Sequence, residues 1–278
     1  MCDLEMEIGV KLLERRARGI VLTPAGRTFL DHARLVLMQI DTACEAARST
    51  EQPAKQGFVI GFRPGQEVIW LSESLRILRE EAPDVEVTLT TKSSPELADA
   101  LMQGKIDVAL LRRETRTAGL VFKFLVKEPL VAILPCRHRL VRQKSVRPED
   151  LCLENFVSTA RAAPVLKTVI DEYAAKVGLT LKQISDAEIL SGGMSLVAST
   201  GGFTLLPLYV LNALIPAVVA RPLYGDAPTI DLVMGYSKSN TSPLVKRFLL
   251  RAEELVDCTP QLKGSLRTMS SSHRNPPA

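Results

Sequence analysis

Glu7-Ile8-Gly9-Val10-Lys11-Leu12-Leu13-Glu14-Arg15-Arg16-Ala17-Arg18-Gly19-Ile20-Val21-Leu22-Thr23-Pro24-Ala25-Gly26 holds two short apolar runs, Leu12-Leu13 and Ile20-Val21-Leu22, on either side of a polar turn containing glycine. That pattern predicts a small β-hairpin. Thr23 then caps a helix, with Pro24 at its first position, where a missing N–H costs nothing. Residues 11–27 carry Lys11, Arg15, Arg16, Arg18 and Arg27 against the single acid Glu14. A hairpin tip with Arg15, Arg16 and Arg18 suits contact with phosphates, the sequence-independent and salt-sensitive part of DNA binding. The same charges read also as an ordinary solvated turn.

Beyond the hairpin, Leu30, Ala33, Leu37, Ile40, Cys44 and Ala47 recur with alternating spacings of three and four, the a/d seam of a pairing helix. One helix cannot bury such a stripe by itself. Either a second copy or the helix's own domain must cover it. Ser49 to Gly57, with Pro53 and small polar residues, reads as a hinge. After it the period changes: strand Phe58–Phe62, helix Glu67–Glu81, strand Val85–Leu89, helix Pro95–Gln103 and strand Ile106–Leu111 predict a parallel α/β sheet with right-handed crossovers. Strands follow at Leu120–Val126 and Leu130–Leu134. A second α/β unit is predicted from Asn155–Ser158, helix Val165–Lys176, strand Thr180–Ile184, helix Ser191–Thr200 and strand Phe203–Leu206. Strand Ile230–Tyr236 and helix Pro243–Val256 return to the first unit.

Composition excludes several classes. With 278 residues and 46% hydrophobic content the chain can bury a sizeable core, and 35 basic against 31 acidic side chains do not by themselves mark a nucleic-acid binder. Five scattered cysteines without C-x-x-C spacing favour free thiols in a reducing compartment. The N-terminus is too polar for a secretory signal, and the most apolar run, Leu205–Ala220, is interrupted by Pro207, Asn212 and Pro216. A cytoplasmic protein is expected. His32, His138 and His273 are isolated, with no metal-ligand spacing, and neither a nucleophile elbow nor a phosphate loop is present. No catalytic residue, metal or cofactor is expected.

The opening hairpin and helix resemble the wing and linker helix of LysR-type transcriptional regulators. Further motifs of that family appear in order: Gly104-Lys105-Ile106-Asp107, Glu128-Pro129-Leu130-Val131 followed by Leu134-Pro135-Cys136-Arg137-His138-Arg139-Leu140, and Val197-Ala198-Ser199-Thr200-Gly201-Gly202-Phe203-Thr204-Leu205-Leu206-Pro207. Arg139 departs from the usual proline. Together they cover about residues 4–256. Ile60 to Val68, Asn155 to Thr159 and Ala220 to Leu223 are most similar to regulators of phenylpropionate and cinnamate catabolism.

The resemblance implies an α/β, two-lobed, periplasmic-binding-protein-like effector domain preceded by a wing hairpin and a long linker helix. It implies residues 1–23 as the remnant of a winged helix-turn-helix, 24–56 as linker helix and hinge, 57–258 as effector domain, and 259–278 as a disordered tail. Lobe I would comprise 57–134 and 221–258, lobe II 135–220, with crossings near Leu134-Pro135 and Val219-Ala220. In the family a recognition helix precedes the wing, and Met1 falls where that helix should be ending. The expected partners are DNA, a small-molecule carboxylate effector and further copies of the chain as homodimer or homotetramer, paired through Leu30, Ala33, Leu37, Ile40 and Cys44. A solute-binding protein would share the cleft but not the basic wing and heptad helix, and an α/β enzyme would need a constellation the sequence lacks.

Helix N-termini offer unpaired N–H groups to an anion. Three are signalled, at Gly65-Gln66, at Ser93-Ser94 and at Ser191-Gly192-Gly193. The resemblance places Gly65 and Ser94 on one lobe facing the cleft, Ser158, Thr159 and Arg161 on the other, Ser191 at a further helix start, and Phe203 with Thr204 on the floor. Ser94 reads equally as a helix cap and as a ligand contact. Arg63 and Arg161 read either as carboxylate partners or as exposed surface arginines.

Overall fold

A computed structural model describes residues 2–16, 19–51, 57–114, 117–161 and 163–257. Helix α1 (Cys2–Ile8) leads into the hairpin of β1 (Leu13–Arg16) and β2 (Gly19–Leu22), with Leu13 opposite Leu22 and Arg16 opposite Gly19. The Glu5 carboxylate accepts the N–H groups of Leu12 (2.7 Å) and Leu13 (2.9 Å), bonds that hold it below the usual carboxylate range. Thr23 performs the predicted capping: its hydroxyl accepts from Gly26 N–H at 2.9 Å and donates to Lys11 O at 2.7 Å. A Cβ at Gly26 would lie 1.9 Å from the Leu12 carbonyl oxygen. The hairpin can therefore lie on the next helix, α2 (Pro24–Glu51), only over a glycine. Arg15 is exposed at the hairpin, while Arg18 lies outside the described residues.

α2 continues three residues into the expected hinge, to Glu51. Leu30 and Ala33 are half-buried, but Leu37 is 63% exposed, Ile40 53%, and Cys44 is exposed as well. Midway along it, Gln39 Nε2 donates to Ser239 O at 2.8 Å.

The predicted strand–helix alternation follows as β3 (Gly57–Phe62), α3 (Glu67–Glu81), β4 (Glu86–Thr91), α4 (Ser94–Met102) and β5 (Val108–Leu111), with β3 parallel to both β4 and β5. Side-chain parity covers both faces of this sheet. Phe58, Ile60, Val108 and Leu110 enter one core with Trp70 and Phe248, whereas Ala109 and Leu111 pack on the other face against Leu97 and Leu101.

The chain then crosses on β6 (Leu120–Pro135). Lobe II is built from α5 (Pro148–Leu151), β7 (Asn155–Ser158), α6 (Pro164–Val177), β8 (Lys182–Asp186), α7 (Leu190–Thr200) and β9 (Thr204–Pro207), with a 3-10 segment at Leu208–Ala213 before β10 (Val218–Pro222). β11 (Thr229–Ser237), α8 (Pro243–Leu250) and α9 (Ala252–Asp257) return to lobe I. The larger sheet runs β10-β6-β11-β5-β3-β4 with β9 also on β6, and β7 pairs β8 in parallel. Lobe II has its own core, in which Ile133, Phe156, Ile170, Val197 and Leu205 meet.

Two expectations change here. The separate strands at 120–126 and 130–134 form one strand, which pairs β11 as far as Pro129 and β9 from Leu130 onward. Pro129, lacking an N–H, sits where the partners exchange, so no ladder bond is lost. β10 pairs β6 over residues 131–135, and residues 223–228 lead from it to β11. The predicted helix Pro243–Val256 is broken at Arg251. The guanidinium there turns to Glu254 (2.6 Å), Glu80 (2.7 Å) and Glu81 (3.3 Å), fastening α9 to α3.

Candidate functional site at the lobe junction

β3 ends in a turn closed by Gln66 N–H to Arg63 O at 3.0 Å. Gly65 takes φ +87, a left-handed conformation that strains any other residue, and a Cβ there would meet Tyr209 Cε2 at 3.4 Å. Arg63 is turned inward and 3% exposed. Gln66 stands before the first turn of α3 without capping it by its side chain, and is itself fully buried.

The second lobe I element is the start of α4. Ser93, not Ser94, is the cap: its hydroxyl accepts from Glu96 N–H while Glu96 accepts the Ser93 N–H at 2.9 Å. Ser94 is thereby freed to face inward. Its Oγ accepts the Arg112 N–H at 3.0 Å, stitching the start of α4 to the end of β5. The cap reading of Ser94 is thus corrected by the capping box one residue earlier.

Arg112, buried to 1% exposure, pairs its guanidinium with Glu128 of β6, also at 1%, and donates to Ile230 O at 3.3 Å. Tyr209, from the 3-10 segment after β9, lies beneath both arginines, with Arg63 Cζ 5.6 Å and Arg112 Cζ 6.0 Å from its ring centroid. Burial pushes the Tyr209 hydroxyl up, against the pull of the two arginines, and burial also raises Glu114 despite the nearby Arg63. Burial depresses the Arg63 guanidinium, with Tyr209 opposing. No carboxylate among the described residues pairs with Arg63.

In lobe II, Ser158 Oγ accepts the Ala160 N–H at 3.1 Å, and Thr159 lies under the start of α7, its Cγ2 3.1 Å from where a Cβ of Gly193 would be. Both are buried. The structure places the remaining expected residues differently. Arg161 is an exposed surface arginine, its side chain 68% accessible and set between Asp186 (3.6 Å) and Glu188 (3.4 Å). Ser191 is exposed on the first turn of α7. Phe203 is wholly buried, its ring 5.3 Å from that of Phe156 in the lobe II core. Thr204, next along β9, is also buried, and its hydroxyl has no partner among the described residues.

Sequence reading named Gln66 only as part of a helix-start signal and missed Arg112, Glu114, Glu128 and Tyr209. Glu128 stood in a quoted motif without a role. The one available signal for Arg112 is its place directly after the wholly buried run Val108–Leu111, at the carboxyl end of a parallel strand, where α/β sheets hold their ligands.

Among the described residues no His, Cys, Asp and Glu cluster is arranged to hold a metal, and no helix is long and apolar enough to cross a membrane. The profile of the LysR substrate binding domain matches residues 52–256. The Hca operon transcriptional activator HcaR of Escherichia coli is 32% identical over 257 residues, 91% of this chain and 85% of that protein. The regulator AlsR of Bacillus subtilis is 30% identical over 248 residues, covering 89% of this chain and 82% of its own length. The crystal structure of CbnR, a LysR family transcriptional regulator, superposes with a TM-score of 0.61 over 91% of this chain and 88% of that one, at 22% identity. With this profile over the two-lobed domain and these relatives over nearly their whole lengths, the chain belongs to the LysR family of transcriptional regulators.

Proposed function

We propose that this regulator senses a small carboxylate with an aromatic or other apolar body, taken up between the lobes. The observation that carries the reading is Arg63, a buried guanidinium that forms no ion pair among the described residues, at the end of a strand whose neighbour β5 leads to Arg112 and its bond to Ser94. A charge buried without a counter-ion is unfavourable, and an anionic ligand removes that penalty. Ser94 accepts from Arg112, so its own proton is left for an anionic acceptor. Arg63, Gly65 and Ser94 contact the ligand from lobe I and Ser158 and Thr159 from lobe II. Thr204 and Phe203 support the floor, and Arg161 and Ser191 stand at the mouth. A ligand held by both lobes favours their closed arrangement, and its differential affinity for that arrangement is the signal available to the rest of the molecule.

The wing supplies phosphate contacts through Arg15, Arg16 and Arg18, and α2 pairs with a second copy through its Leu37–Ile40 face. This is the work of a cytoplasmic DNA-binding protein and not of an enzyme. A solute-binding protein has no use for that hairpin and helix.

Calorimetry with a panel of aromatic and aliphatic carboxylates and their primary amides tests the reading. At least one aromatic carboxylate should bind while its amide does not, and Ser94→Ala should weaken binding by about 1–3 kcal/mol through loss of a hydrogen bond to a charged group. The Arg112 N–H also loses its acceptor in that variant, so its folding is checked by thermal melting. Silence from every carboxylate, or an amide binding as well as its acid, overturns the proposal.

A further inference from the structure

The Gly104-Lys105-Ile106-Asp107 motif has no part in the carboxylate site, yet both oxygens of the Asp107 side chain are engaged. Oδ2 accepts the N–H of Val59, the third residue of β3, at 2.8 Å, and Oδ1 accepts Asn240 Nδ2 at 2.9 Å. The Asn240 side-chain carbonyl in turn accepts the Ser242 N–H at 3.0 Å, and its own N–H goes to Ser237 O at 3.0 Å. The hydroxyls of Ser237 and Ser239 stand 2.8 Å apart. Residues 238–242, between β11 and α8, are therefore a preformed turn fixed to the base of β3.

The linker helix α2 meets lobe I on this turn, where Gln39 Nε2 donates to Ser239 O at 2.8 Å. Helix and first effector-domain strand, which residues 52–56 separate in sequence, are thus fastened to one loop. With about 100° of rotation per residue, Gln39 lies roughly 130° round the helix from the middle of the Leu37–Ile40 stripe. A second copy can cover that stripe while Gln39 stays on the Ser239 of its own chain. We propose that the 238–242 turn is a latch for the linker helix, with Gln39 as its bolt, the Ser239 carbonyl as its seat, and Asp107 as the positioning residue that holds the seat through Asn240. One uncharged hydrogen bond between groups that are not wholly buried is weak enough to open and reclose. Closed, it makes α2 and lobe I one body, so that a movement of the lobe carries the helix and the hairpin with it. Open, the helix can move without the lobe.

Amide hydrogen exchange and small-angle X-ray scattering on the full chain test the latch. Gln39→Met keeps the length of the side chain and its fit to a helix but has no donor. It should speed exchange at residues 238–242 about five-fold, the change one neutral hydrogen bond supports, and enlarge the radius of gyration. Its association constant by sedimentation equilibrium should equal the parent's, which separates the latch from the pairing stripe. Asn240→Ala, its folding checked by thermal melting, should enlarge the radius of gyration as Gln39→Met does. The two together should expand the chain no further than one alone, because both undo the same fastening. Parent-like exchange at 238–242 in Gln39→Met, or an unchanged radius of gyration, overturns the proposal, as does a double variant that expands by the sum of the two single changes.

Discussion

Arg112→Met is expected to destabilise the folded chain by about 3–5 kcal/mol, because it strips the counter-ion from a carboxylate that remains buried. Glu128 has no route to water at 1% exposure, and its Oε1 already lacks a partner among the described residues. The Ile230 carbonyl loses its donor as well. Arg112→Met with Glu128→Leu should recover most of the loss, since an apolar pair of similar volume is often as stable in a buried site as two ions are. Denaturant melts of the two single variants and the double variant give the coupling directly. A single-variant loss below about 1 kcal/mol, the ordinary level of an exposed ion pair, would show that the pair is solvated and the junction open.

The second large effect concerns assembly. Leu37 and Ile40 stand 63% and 53% exposed on α2 with Val36 beside them, a run of apolar surface that one copy of the chain leaves uncovered. Pairing two such helices buries it on both sides, at roughly 1.5–3 kcal/mol for each large aliphatic side chain. Leu37→Asp with Ile40→Asp places four carboxylates in a seam otherwise emptied of water. It should weaken linker-helix pairing by at least about 100-fold, given the cost of desolvating unpaired charge. Sedimentation equilibrium measures the change, and an unaltered association constant would show that α2 is not the pairing surface.

Much of this architecture was legible in the sequence because it rests on periodicity and turn chemistry. Glu67–Glu81 was read to the residue, Thr23 and Pro24 set the start of α2, and the alternation from Phe58 to Leu111 gave the parallel half of the sheet. The long β6 was not legible, because a glutamate followed by a proline at 128–129 looks like a break. Only the exchange of partners at that point, a fact of tertiary pairing, makes it tolerable. The same limit applied to the site. Gly65 and Ser94 could be singled out because helix starts have local signatures. Arg112, Glu128 and Tyr209 come from three distant segments, and nothing local distinguishes a buried arginine from the many exposed ones. For Phe203 the difficulty is the converse, since an aromatic beside a motif is as readily core as lining, and its ring packs on Phe156.

The central claim is that one small carboxylate is gripped by both lobes at once, and amide hydrogen exchange on the full chain tests it most directly. With a binding carboxylate present, protection should rise together at residues 63–69 and 94–97 of lobe I and at 158–160 and 209–211 of lobe II, while its primary amide changes none of them. Protection confined to one lobe, or appearing elsewhere on the surface with these four segments unchanged, would contradict the account.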